Sequence, residues 1–454
     1  LMLETATCSG CWRRFGYLRS LQWRIDLGIL PSSPSASIDD LRRFTADSRR
    51  RYASLRKKLL IDPHFPKDGV KSGDLIMDDP LSQNPDSMWG QFFRNAELER
   101  MLDQDLSRLY PERGSYFQTS GCQGMLRRIL LLWCVRNPEY GYRQGMHELL
   151  APLLYVLQVD IERHLEVRKT YENHFADKFD DENHQLTFDF NKFSENGSEK
   201  DASLDPEIQT IVSLSDAYGA EGELGVVLSD KFMEHDAYSM FDALLSGSGG
   251  PISMAEFFSP IGGTGIPPVI EASRAVYHLL SVADPSLYGH LVGLEVEPQY
   301  FLLRWLRVLF GREFSLEDLL IIWDEIFSHE NAVDSSMGSS FGILESRRGT
   351  FICAFAVSMM LFLRSSLLAA EFTTAPLQRL LNYPDEVDVR RLLKKANDLI
   401  SRVAVSKKPA FLSPVAREEK PPDRRTSPGT PSYWEEKWRD LHGGEEESGD
   451  DKER

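Results

Sequence analysis

The segment Ala96-Glu97-Leu98-Glu99-Arg100-Met101-Leu102-Asp103-Gln104-Asp105-Leu106-Ser107-Arg108-Leu109 carries Leu98, Met101, Leu102, Leu106 and Leu109 along one side of a 3.6-residue helix. Pro111 ends it, because the residue before a proline is steered away from helical geometry. One position breaks the stripe. Asp105 falls in line with Leu98, Leu102 and Leu109, so a carboxylate interrupts an apolar face and needs a partner or a purpose. Arg108, one turn on, is placed to present its guanidinium beyond the domain surface, anchored through Asp105.

The helical period continues outward from this segment. Met125 to Val135 reads as a second helix, stopped by Asn137-Pro138. Tyr142-Arg143-Gln144-Gly145-Met146 follows a proline-glycine break and opens an apolar helix with Leu149, Leu150, Leu153, Leu154 and Leu157. Gln144 sits at its first turn, beside a glycine that lets another backbone or a ligand approach closely. Further on, Tyr300 to Phe310 is amphipathic, and Ser315 with Asp318 caps a helix running to Phe327, so the two form a hairpin. Phe351 to Leu363 is too short to cross a bilayer, for which roughly 20 apolar residues are needed, and reads as a buried core helix. With few alternating stretches, the class is all-α.

At 454 residues with 42% hydrophobic content the chain can bury a large core. Its 52 basic residues face 69 acidic ones, a net charge of −17 that argues against general nucleic-acid binding. Five cysteines fit free thiols in a reducing compartment. Leu1 to Cys11 has neither the basic nor the apolar stretch of a signal peptide. The expected organisation is a lead-in over 1–12, a main domain over 13–385 with a polar insertion at about 162–230, a trailing helix over 386–406 and a disordered acidic tail over 407–454. Ser246 to Pro268 is rich in glycine and proline but lacks the ending of a nucleotide-binding P-loop, so it reads as a plain loop.

Taken singly, the chemical candidates have bland readings. Asp105 and Arg108 also fit an ordinary surface pair, and Gln144 an ordinary capping residue. Their order changes this. Arg19-x-x-x-Trp23, then Leu102-x-x-Asp105-x-x-Arg108, then Tyr142-x-Gln144-Gly145-Met146 resembles the three ordered motifs of TBC-domain Rab GTPase-activating proteins. The text from Gln144 to Pro152 and from Phe310 to Phe314 looks like the branch typified by TBC1 domain family member five. The resemblance covers roughly Arg13 to Leu381; Leu109 departs from it, standing where the family often has threonine.

This resemblance implies a two-lobed, all-helical TBC domain that inserts an arginine, Arg108, and a glutamine, Gln144, into the active site of a partner Rab. Asp105, Trp23 and Arg19 would hold the arginine and its motif region in place, with Tyr142 and Gly145 completing the glutamine motif. GTP and magnesium would belong to the Rab, so no cofactor and no metal of the chain's own are expected. The implied setting is cytoplasmic, with peripheral recruitment to endosomal membranes in vesicle trafficking.

Weaker signals point to other partners. Met77-Asp78-Asp79-Pro80-Leu81 exposes a leucine anchor, and in the similar branch such a loop is associated with retromer, which puts Pro80 and Leu81 forward beside simple packing of Leu81 on its own domain. Trp438-Arg439-Asp440-Leu441 resembles the motif that adds a strand to ubiquitin-like autophagy proteins, although Trp434 and Trp438 also fit an amphipathic turn docking back on the domain. The basic run Arg42 to Lys58 reads as a solvated helix face or as a contact for anionic lipid or an acidic Rab surface. Cys8-x-x-Cys11 is half a zinc site without a second half. A non-catalytic adaptor with the same fold is the alternative to catalysis, but a pure scaffold has no chemical need for both Arg108 and Gln144. A generic helical interaction domain would require the three motifs to coincide by accident.

Overall fold

The computed structural model describes residues 17–33, 36–60, 87–110, 114–170, 205–214, 223–260, 265–334 and 341–406. Among them the regular structure is helical, with one isolated antiparallel bridge between Val333 and Ser346. The α-helices are α1 (Arg19–Asp26), α2 (Ile38–Leu59), α3 (Met88–Leu106), α4 (Gly114–Phe117), α5 (Ser120–Arg136) and α6 (Met146–Thr170). Next come α7 (Pro206–Leu214), α8 (Glu223–Val227), α9 (Met233–Ser246), α10 (Pro268–Ala283), α11 (Pro285–Gly293) and α12 (Gln299–Arg307). The last are α13 (Leu316–Ser328), α14 (Arg347–Phe362), α15 (Arg364–Leu368), α16 (Thr374–Leu381) and α17 (Val389–Ser406).

Side-chain caps explain many of the starts, since the first amides of a helix lack internal partners. Ser87 accepts from the Gly90 amide, Thr119 from Cys122, Ser315 from Asp318 and Ser346 from Gly349. Ser37 and Asp40 form a reciprocal capping box on α2.

Helices α2, α3, α5, α6 and α9 pack into one group, and α10, α12, α13, α14 and α17 into a second. At the centre of the second group every residue of α14 from Arg348 to Met360 is buried, so the apolar run is a core helix. The trailing helix packs against it through Leu392, Ala396 and Leu399.

Helix α1 bolts the two groups together. Its Ser20 amide donates to Asp160 Oδ2 of α6 at 2.7 Å, while Trp23 Nε1 donates to Asp324 Oδ1 of α13 at 2.8 Å. Arg24, almost fully buried, donates to the Val227 carbonyl and faces Asp236 of α9 at 3.6 Å. A buried guanidinium is tolerable only with such partners.

Three expectations are corrected. Met101 is 43% exposed, because α3 turns Leu102 and Leu106 inward and leaves Met101 at the stripe's edge. The segment 162–230 does not lie wholly outside the core: α6 continues to Thr170 with His164 and Val167 buried, and Ile211, Leu224 and Val227 are buried on α7 and α8. Short helices with one or two inward residues leave little periodic signal. Helix α12 ends at Arg307, short of Phe310, because Leu309 and Phe310 turn into the left-handed region at φ 44° and 67°. The lead-in, residues 171–204 and the tail lie outside the described residues.

Candidate functional site

The end of α3 builds the first half of the site. Arg108 follows the helix, with its amide on the Asp105 carbonyl at 3.2 Å, and Tyr110 then takes φ 43°, turning the chain away before Pro111. Asp105 is 8% exposed, yet both its oxygens are engaged. Oδ1 accepts from Arg108 Nη2 at 2.6 Å and Oδ2 accepts from Tyr142 Oη at 2.7 Å. The Arg108 side chain is 61% exposed, so the buried carboxylate holds a guanidinium whose face is open to solvent. The carboxylate that interrupts the apolar stripe is thus an anchor.

The second half is the turn before α6. Gln144 is exposed, while Gly145 and Met146 behind it are buried. Gly145 has φ 110°, and a Cβ there would stand 3.0 Å from Val308 Cγ1 and 3.5 Å from Phe258 Cε1. Only glycine meets both demands without strain. Tyr142, two residues before Gln144, reaches back to Asp105, so the roots of Arg108 and Gln144 share one buried carboxylate.

His147 extends the network. Its Nδ1 lies 2.9 Å from Tyr142 Oη. Because the tyrosine hydroxyl donates its hydrogen to Asp105, the imidazole must donate from Nδ1. Burial holds His147 below the ordinary histidine range, against the pull of Glu148 and Asp105, which keeps the ring neutral. Burial and the Asp105 contact likewise push the Tyr142 hydroxyl far above its usual range, so it stays a donor. Next door, Glu148 takes Arg312 Nε through both oxygens at 3.1 and 2.8 Å, joining the turn to the second helical group.

Beside Gln144 opens a cavity of about 610 Å³. Arg143, Arg304, Arg307 and Arg312 line it together with the apolar side chains of Phe258 and Leu303.

Arg19 and Trp23 are placed differently from the expectation. Arg19 Nε donates to both oxygens of Asp324 at 2.9 and 3.0 Å, and Trp23 donates to the same carboxylate, so this motif clamps α1 to α13 and does not touch Arg108. The Trp23 ring packs edge-on against Phe327 at 5.1 Å and tilted against Trp323 at 5.8 Å. Trp323 Nε1 in turn holds the Leu309 carbonyl at 3.0 Å, at the turn that leads to Arg312. That turn carries Val308, whose side chain packs against Gly145, so the first motif is linked to the Gln144 turn through it.

Nothing in residue spacing marks Asp324, His147 or the Glu148–Arg312 pair as part of the site. The last joins two segments on which the resemblance rests, 144–152 and 310–314, a pairing that residue spacing cannot reveal. The basic run on α2 is partly turned inward, with Arg49 on Asp236 at 2.7 Å and Arg56 on Glu234 at 3.4 Å. Pro80, Leu81, Trp438 and Leu441, and the Cys8-x-x-Cys11 pair, lie outside the described residues.

The sequence pattern of the Rab-GTPase-TBC domain matches residues 87–205 and 223–348, segments that hold Asp105, Arg108, Tyr142 and Gln144. TBC1 domain family member 5 of Homo sapiens is 31% identical over 402 residues, which cover 84% of this chain and 41% of that protein. TBC1 domain family member 5 homolog A of Dictyostelium discoideum is 27% identical over 445 residues, covering 86% of this chain and 35% of that protein. The chain thus spans about two fifths or less of the length of these relatives. The crystal structure of the Ypt/Rab-GAP domain of Gyp1p aligns with a TM-score of 0.50 at 16% identity, covering 86% of this chain and 89% of the other, a likeness of fold. A family pattern that takes in more than half of the sequence, across both halves of the site, shows that this chain belongs to the Rab-GTPase-TBC domain family.

Proposed function

We propose that this chain accelerates GTP hydrolysis by a Rab-type small GTPase, supplying Arg108 and Gln144 in trans. One observation carries the reading: an exposed cation and an exposed amide are rooted on the two oxygens of a single buried carboxylate, Asp105, directly for Arg108 and through Tyr142 for Gln144. Residues kept outside the core, but held at their base by a buried network, are preorganised to enter another protein's site.

Phosphoryl transfer from GTP to water spreads negative charge over the transferring and leaving oxygens, and an arginine supplied in trans is worth about 10³ to 10⁵ in rate, or roughly 4 to 7 kcal/mol. Arg108 keeps its pair with Asp105 on one edge while its exposed nitrogens meet the γ-phosphate. Gln144 orients the attacking water. Nucleotide and magnesium are the GTPase's own. A Saccharomyces cerevisiae protein named GTPase-activating protein GYP1, 21% identical over 239 residues, supports the same class of activity. We place the action in the cytoplasm, on endosomal membranes reached through partners.

The adaptor reading, with retromer or ubiquitin-like autophagy proteins as partners, rests on Pro80, Leu81, Trp438 and Leu441. It gives no use to the two exposed fingers. The test is phosphate release from a panel of purified GTP-loaded Rabs, with wild-type protein and Gln144→Ala. Stimulation of at least one Rab, weakened by the substitution, is expected; a panel left entirely unstimulated contradicts the proposal.

A further inference from the structure

The chain carries a net charge of −17, yet the cavity beside Gln144 is basic: four arginines line it, and none of the described residues lining it is acidic. Two of those charges are already met. Arg312 is paired with Glu148, and Arg304 with the buried Glu313 at 2.6 Å. Arg143 and Arg307 make no ion pair among the described residues. Arg307 gives Nε to the Phe257 carbonyl at 3.1 Å, and burial together with neighbouring Arg312 holds it below the ordinary arginine range, so its charge is poorly compensated.

We propose that this cavity receives an acidic side chain, flanked by an apolar one, from the surface of the docked GTPase, and that Arg143 and Arg307 thereby help to choose which GTPase the fingers serve. The inference rests on the activity proposed above and adds a specificity site to it. Gln144 is itself a wall of the cavity, so a GTPase seated on the glutamine covers the mouth. A carboxylate entering there meets two arginines against apolar walls formed by Phe258, Leu303 and Val308, where a planar guanidinium binds it in a fork and low-dielectric surroundings strengthen the attraction. The apolar walls accept the neighbouring side chain. An acidic partner is selected because a basic one would oppose uncompensated arginines.

The experiment measures KM and kcat for stimulated hydrolysis by a responsive Rab, at low and high salt, for wild type, Arg143→Glu and Arg307→Met. Both variants are expected to raise KM roughly tenfold or more, the scale of a close interfacial charge pair, with kcat nearly kept and a flatter salt dependence. Arg143 is exposed, so its variant should melt with wild type; should Arg307→Met melt lower, Arg143→Glu decides. Replacing the GTPase's surface acids by lysine, one at a time, should find one that restores KM with Arg143→Glu. Unchanged KM and salt dependence overturn the specificity site while leaving the catalytic proposal intact. Loss of binding to vesicles containing phosphatidylinositol phosphate, with KM unmoved, also overturns it in favour of a lipid site. Wild-type protein that stimulates no Rab overturns both.

Discussion

Tyr142 Oη donates to Asp105 Oδ2 at 2.7 Å across 37 positions of sequence, and this bond ties the turn bearing Gln144 to the helix end bearing Arg108. Alone, Arg108 and Gln144 would each be a mobile surface group. Fastened to one buried carboxylate, they keep a fixed separation at their base, which is what a two-point insertion into another protein's active site requires.

Tyr142→Phe removes that bond and leaves Asp105 Oδ2 buried without its donor. Stability should fall by about 1 to 3 kcal/mol in denaturant unfolding. Stimulated kcat should fall between about 10- and 100-fold through misplacement of the fingers. Wild-type values for both would show that the bond positions nothing.

Gly145→Ala tests the turn itself. The left-handed φ of 110° and the 3.0 Å approach to Val308 both oppose a Cβ. A stability loss of about 1 to 3 kcal/mol is expected. Adding Val308→Ala should recover only part of it, since it relieves the contact and leaves the backbone strain; full recovery would mean that crowding alone fixes the glycine.

Trp23→Phe separates the two roles open to the first motif. Loss of the Nε1 bond to Asp324 should lower stability by about 1 to 3 kcal/mol, because a charged acceptor loses a buried donor. Stimulated kcat per folded molecule should stay near wild type, as Arg108 is held elsewhere. A large drop in kcat at unchanged stability would return the motif to a direct role in holding the finger.

Asp160 gives a pH signature of the bolt formed by α1. Burial pushes its carboxyl up to about 7, although two donors from Ser20 and the charge of Arg19 pull it down. A folded-state value above the unfolded one means that the native protein binds the proton more tightly. Stability from this group is therefore present in acid and lost as pH rises from about 4 toward 7. Asp160→Asn should remove that slope, so unfolding free energies measured across this range should shift in the variant's favour as pH rises. A constant difference would show that Asp160 does not titrate there.

Much of this architecture is written in local pattern. The stripe Leu98–Leu102–Leu106, the cap at Ser315 and the apolar run on α14 are signals within one or two turns, and each found its element. Asp105 was legible as an exception to its own stripe, and the structure supplies the reason. What spacing could not show is what comes together from far along the chain. Asp324 lies 301 residues from Trp23, and Arg312 lies 164 from Glu148, so the clamp and the wall of the cavity exist only after folding. Met101 and the short helices α7 and α8 misled for a related reason: tertiary neighbours, rather than periodicity, determine which side of a short or marginal stripe is covered.

The most direct measurement is single-turnover GTP hydrolysis by a responsive Rab with Arg108→Ala and Arg108→Lys beside wild type, with folding checked by thermal unfolding. Arg108→Ala should lose about 10³-fold or more of the stimulated rate per folded molecule, far beyond any loss of stability from leaving the buried Asp105 carboxylate one donor short, and lysine, lacking the planar fork, should restore little. Hydrolysis stimulated equally by wild type and Arg108→Ala would contradict it.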